Sequence, residues 1–199
     1  MRPFLYLASQ SARRKEILRK MRIPFKQVRS RYRERMVPGV SPRKLTVLHA
    51  AGKAKAAVLP QAARWVLGAD TLVYCQRRIL GKPRTKEEAV RMLSRLSGRP
   101  HFVYTGVALL DRQSGKIKTG CAKTKVTFKR LTKEGILEYL ESMNPYDKAG
   151  GYAIQEGPKI VKKIDGSRTN VIGLPVELLT KILRKSLSRD CFAPSGRSQ

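Results

Sequence analysis

The chain has 199 residues, 41% of them hydrophobic and 7% aromatic, enough apolar side chain to bury one globular core. Its 43 Lys and Arg against 14 Asp and Glu give a net charge of +29, which favours polyanionic partners. No run approaches the ~18 apolar residues of a membrane span, the N-terminus lacks a long apolar stretch, and Cys75, Cys121 and Cys191 fall outside any CxxC pattern. The expectation is a cytoplasmic protein with no membrane segment, disulfide framework or zinc site, its thiols inert.

In chain order, FLYLA (Phe4 to Ala8) reads as a short buried strand that feeds, through a Ser-rich turn, a helix carrying Ile17, Leu18 and Met21. A second helix is expected from Pro42 to Val58. Trp65 to Tyr74 is strand-like, interrupted at Gly68, and a charged loop and ILGKP follow. Thr85 and Glu88 form a capping box for a helix with Ala89, Met92, Leu93 and Leu96 at helical spacing and Gly98 at its stop. HFVYTGVALL and TKVTFKRL, separated by the turn-prone RQSGK, predict an antiparallel pair. Thr132 opens a helix bearing Ile136, Leu137, Leu140 and Met143. NPYDKAGGY then reads as a long loop, AIQEGPKIVKKI as short strands around Gly157, and Pro175 as the first turn of a helix running to Leu187. Residues 188–199 read as a disordered tail after a domain spanning 1–187. Alternating strands and helices with one hairpin imply an α/β fold on a mixed sheet.

Two places carry chemistry. Ser9, Ser11, Arg13 and Arg14 sit where a strand turns into a helix, and hydroxyls, helix-end N–H groups and guanidiniums there favour an anion. The same residues also suit a plain capped helix start. No GxxxxGK[ST] loop is present. Asp70 follows the apolar run Trp65 to Leu67 and is the only acid between Glu34 and Glu87, which suits it to accept a proton or bind a metal, or to close a turn. In residues 1–69, 17 Lys and Arg stand against Glu16 and Glu34 alone, so the charge is a basic surface rather than a tail.

LASQSARRKEIL, Lys53-Ala, GADTLV, ILGKP, MLSRLSG with YTGVAL, and DKAGGYAIQEG followed by IDGSRTNVIGLPVELL occur in this order and resemble the Maf family over residues 4 to 183. These are nucleoside triphosphate pyrophosphatases related in fold to the inosine triphosphate pyrophosphatases. The resemblance implies a single such domain, a mixed central sheet flanked by helices, with two lobes around an active-site cleft. It implies Asp70 as the catalytic acid position, with Lys53 and Lys82 as its lysines, Ser9, Arg13 and Arg14 on the phosphates, and Glu34 with Asp70 on a divalent cation, Mg²⁺ or Mn²⁺. Among Arg31, Arg33 and Arg35, Glu34 is equally an ion-pair partner. The branch that resembles dTTP/UTP pyrophosphatases is marked by Arg, Thr and Gln, which fall on Arg13, Thr71 and Gln155. The Gln155 amide suits the alternating edge of uracil or thymine, since it offers both a donor and an acceptor. A homodimer is compatible with the family.

The chain departs from the family at Ala12, which stands where proline is usual, and in its far more basic surface. Nothing in the catalytic blocks is lost, and the activity that the resemblance implies is hydrolysis of dTTP or UTP, with modified pyrimidine nucleotides as further candidates, to monophosphate and pyrophosphate in nucleotide-pool housecleaning. Two other readings are a nucleic-acid-binding protein, against which stand few aromatics and no binding signature, and a non-enzymatic regulator of septum formation.

Overall fold

The computed structural model describes residues 4–186, so the tail from 188 onward, Leu187 and Cys191 lie outside the described residues. Strand β1 (Leu5–Leu7) leads into helix α1 (Ala12–Lys20), and the chain returns through β2 (Phe25–Gln27) and α2 (Pro42–Lys55) to β3 (Trp65–Cys75). β4 (Arg78–Leu80), α3 (Lys86–Leu96), the long pair β5 (Pro100–Asp111) and β6 (Ile117–Phe128), and α4 (Lys133–Glu141) follow. A short 3₁₀ turn at Ala149–Gly151, β7 (Val161–Asp165), α5 (Arg168–Ile172) and α6 (Val176–Ser186) complete the fold.

These strands form one sheet in the order β2-β1-β3-β5-β6-β7, with β4 on β3. Pairing is parallel at β2-β1-β3 and antiparallel beyond, so the sheet is mixed as expected. β3 and β5 run through two separate apolar clusters. Leu5, Leu7, Leu67, Val107, Leu109 and Leu179 build one; Val73, Leu93, Leu96, Val103, Phe128 and Tyr139 build the other. Between them the same strands carry buried Asp70 and Thr105, with Thr71 partly covered, so a polar band separates two lobes.

Several local expectations change. Gly68 does not interrupt β3. It lets α2 lie directly on the sheet: a Cβ there would sit 2.1 Å from the Ala50 carbonyl oxygen, and one at Gly106 2.3 Å from Thr46 backbone. The loop expected after Tyr74 is a hairpin, because Gln76 (φ 48) and Arg77 (φ 59) both take the left-handed conformation of a tight two-residue turn without Gly or Asn to announce it. α2 ends at Lys55 rather than Val58, since Ala57 instead pairs with Ser30 in an isolated antiparallel bridge. Only β7 forms after Gly157, which turns at φ 70, and residues 153–160 contain no strand. The short α5 was not anticipated; Ser167 caps it by accepting from the Asn170 N–H. Thr85 and Thr132 cap α3 and α4 as expected, though Glu88 accepts from the Arg84 N–H rather than from that of Thr85. Cys75 and Cys121 are unpaired thiols whose pKa burial raises.

Candidate active site

The turn after β1 is held from both sides: Gln27 donates to the Ser9 carbonyl, and Ser11 caps α1 by accepting from the Arg14 N–H. This geometry sends the Arg14 side chain inward, where it is only 8% exposed. Its guanidinium donates to the Gly173 carbonyl at 2.8 Å, the Ser9 hydroxyl at 2.8 Å and the Thr71 hydroxyl at 3.1 Å. All three acceptors are neutral, and among the described residues no carboxylate pairs with it. Burial pushes this guanidinium below its ordinary pKa, while Asp70 and Glu34 act in the opposite direction. A buried cation with only neutral partners costs several kcal/mol of lost hydration that an arriving anion offsets. Thr71 in turn shares a hydrogen bond with Thr105, which donates to the Asn170 carbonyl.

Opposite lies Asp70, 4% exposed, on the face of β3 that α2 covers. Close helix-to-strand contact at Gly68 brings Lys53 to 2.6 Å from Asp70 Oδ1, and the same ammonium lies 2.6 Å from Glu34 Oε1. The second oxygen, Oδ2, is buried and has no hydrogen-bond partner among the described residues. Burial acts to raise the Glu34 pKa, but the charge and hydrogen bond of Lys53, with Lys82 and His49, outweigh it and hold the carboxyl below its usual range. Lys82 is exposed and makes no ion pair among the described residues.

These groups line one cleft of about 500 Å³ that includes Ser9, Arg13, Arg14, Glu34, Lys53, Asp70, Thr71, Lys82 and Gln155, so every site residue expected from the sequence is in one place. Their engagement differs. Gln155 is exposed and its amide makes no bond to a described residue. Arg13 reaches across the cleft to Asp147, at 2.9 Å on its carboxylate and 3.1 Å on its carbonyl. The nearly buried Lys148 joins Asp147, Glu156 and the Asn144 carbonyl. Partial burial acts to raise the Asp147 pKa, but Lys148 and Arg13 together outweigh it and hold the carboxyl below the ordinary carboxylate range.

Sequence reasoning passed over Asp147, Lys148 and Glu156, whose only signal was acids and a lysine beside paired glycines in DKAGGYAIQEG. It also passed over Tyr32. Its ring occupies the space above Gly52, where a Cβ would lie 2.1 Å from it, and its hydroxyl meets His49 Nδ1 at 3.0 Å.

The family model described as "Maf-like protein" matches residues 4–186, the whole of the described chain. The chain belongs to the Maf-like family. Among Maf-like relatives, the dTTP/UTP pyrophosphatase of Citrifermentans bemidjiense is 45% identical over 181 residues, covering 90% of this chain and 94% of its own. Those of Geobacter sulfurreducens and Bacillus velezensis are each 42% identical over 182 residues, covering 91% of this chain and 95% of theirs. Of the Maf-like blocks quoted from the sequence, all but MLSRLSG, which lies on α3 and the turn after it, reach this cleft or the strands beside it, DKAGGYAIQEG included.

Proposed function

We propose that this protein hydrolyses dTTP and UTP to the nucleoside monophosphate and pyrophosphate, the activity named for its relatives. The observation that carries the reading is the pairing of a buried guanidinium that lacks an anion with a buried carboxylate oxygen that lacks a partner, in one cleft.

In this reading Arg14 and the Ser9 turn receive the triphosphate, whose charge matches the uncompensated cation. Asp70 is fixed through Oδ1 by Lys53, leaving Oδ2 to take a proton from the water that attacks the α-phosphorus. Lys53 and the exposed Lys82 offset the charge that grows on the leaving pyrophosphate. Arg13 gives up Asp147 for a phosphate oxygen, and Gln155 faces the pyrimidine edge. With Asp70 buried and oriented, the P–O bond to the β-phosphate breaks and pyrophosphate leaves.

Glu34 and Asp70 fit a divalent cation. No group of three or more His, Cys, Asp or Glu among the described residues forms a complete cage. Mg²⁺, however, is ordinarily held by one or two carboxylates with water and substrate phosphates, and these two carboxylates already converge on one cation, Lys53 Nζ. When bound there, Mg²⁺ or Mn²⁺ supplies Lewis-acid polarisation of the phosphates and a lower pKa for its water. No helix among the described residues is long and apolar enough to cross a membrane, and the cytoplasmic nucleotide pool is the substrate source we propose.

The test is release of pyrophosphate, not single phosphate, from dTTP and UTP with Mg²⁺ or Mn²⁺. Asp70→Asn is expected to lower kcat by on the order of 10³ with an unchanged circular dichroism spectrum; a fully active variant would overturn the mechanism.

A further inference from the structure

Residues 29–35, Arg-Ser-Arg-Tyr-Arg-Glu-Arg, alternate strictly. Ser30, Tyr32 and Glu34 line the cleft, whereas Arg29, Arg31, Arg33 and Arg35 do not, and all four arginines are exposed. None of the four side chains makes a hydrogen bond or ion pair among the described residues. Some surface cations are paired with a nearby acid, as Arg64 is with Asp111, Lys163 with Asp165 and Lys20 with Glu16; this row is set apart by four arginines at alternate positions of one seven-residue segment. The single acid within the row, Glu34, is turned inward and paired with Lys53.

The row is also held in place. The Val58 N–H donates to the Arg29 carbonyl, the Arg31 N–H donates to the Ala56 carbonyl, and Ser30 Oγ donates to the Lys53 carbonyl. Tyr32 lies on Gly52, and Glu34 is anchored by Lys53. Because the residues between them face the cleft, the arginines fall on the outer edge of a segment whose backbone is tied at residues 29–31 beside the Ser30–Ala57 bridge, a local concentration of forked donors.

We infer that the outer edge of residues 29–35 binds the phosphodiester backbone of a single-stranded nucleic acid. Charge complementarity carries the choice of ligand: a line of unpaired guanidiniums on a chain of net charge +29 matches a line of phosphates. A single strand is flexible enough to bring successive phosphates against one short segment, whereas the phosphates of a duplex are held on a rigid rod that a seven-residue segment meets at few points. Two faces of one segment then serve two ligands, the triphosphate inside and the strand outside.

The test uses the full chain and a fluorescein-labelled 20-nucleotide single strand of mixed sequence, with anisotropy followed across a salt series and no triphosphate present, so the outcome is independent of the pyrophosphatase reading. Replacing Arg29, Arg31, Arg33 and Arg35 together with Gln is expected to weaken binding at least roughly tenfold and to flatten the slope of log K against log salt by ~3, close to 0.7 for each phosphate that is no longer neutralised. A control removes equal charge elsewhere, with Lys159, Lys162, Lys181 and Arg184 changed to Gln, and is expected to shift affinity by less than about threefold. Unchanged thermal melting and circular dichroism in both variants establish that neither is misfolded. Equal losses in the two variants would make the binding a diffuse property of net charge and overturn the site. Tighter binding to poly-glutamate or to duplex than to the single strand would overturn the choice of ligand.

Discussion

Two of the places where this protein buries polar groups are built on opposite terms. In the lobe around α3 and α4, His101, Tyr139 and Tyr152 are buried and neutral. The Tyr139 hydroxyl donates to the Ala153 carbonyl and accepts from the Ala153 N–H, and the Tyr152 hydroxyl meets His101 Nε2 at 2.8 Å, leaving only Nδ1 of that neutral ring without a partner among the described residues. Phe128 packs edge-on against both the His101 and Tyr152 rings. Burial pushes His101 down to about 4 and Tyr139 up to about 12, so both stay uncharged at neutral pH. The buried charged groups of the cleft are Arg14, Asp70 and Lys148; among the described residues Asp70 Oδ2 has no partner and Arg14 donates only to neutral acceptors. A low-dielectric interior holds neutral polar groups cheaply when they are paired, and holds incompletely paired charges only at a cost that a ligand can offset. The first arrangement anchors the loop that carries Gln155; the second awaits an anion.

The comparison predicts that the charges of the cleft are dispensable for folding but not for activity. Arg14→Met keeps most of the side-chain volume and removes the charge. It is expected to lower kcat/KM for UTP by ~10² to 10³ while changing the free energy of unfolding by less than ~2 kcal/mol. Steady-state kinetics and urea titration of the same preparation check both halves, and a collapse of stability would make Arg14 a structural residue.

The aromatic region should respond the other way, through stability and pH. His101 takes its proton near 4 in the folded chain against an ordinary 6.5, so the unfolded chain is protonated first. The stability tied to its neutral form is complete above about pH 6.5 and declines as the pH falls toward about 4, by up to ~3 kcal/mol. Urea midpoints across that window measure the slope, and His101→Gln should flatten it without altering kcat at neutral pH. A wild-type midpoint that does not move would show that this region is less closed than its geometry indicates.

The smallest expected effect falls on base choice. Gln155 is exposed and its amide bonds to no described residue, so Gln155→Ala should reduce the preference for UTP over CTP roughly tenfold. Competition assays with both nucleotides check this; unchanged preference would move recognition to the tied Thr71 and Arg13.

Much of the site was legible because its strongest signals are local. Ser9, Arg13 and Arg14 share one strand-to-helix turn, and Asp70 stands out as an isolated acid after an apolar run. Tyr32 was hidden because its alternation with arginines looked like charge alone, and its role depends on an empty space above Gly52 in another element. The Gln76–Arg77 hairpin and α5 were missed because neither shows the usual turn glycine or a full amphipathic repeat.

By itself the sequence determined the α/β alternation, the caps at Thr85 and Thr132, the amphipathic faces of the helices and the inventory of phosphate-binding and acidic residues. These follow from interactions between residues a few positions apart. Only the tertiary structure decided that Lys53 bridges Glu34 and Asp70, that Arg14 is buried without a carboxylate, and that Arg13 is captured by Asp147, 134 positions away. Those outcomes depend on how closely α2 approaches β3 at Gly68 and on which charges the fold leaves without water, and neither is a property of any short segment.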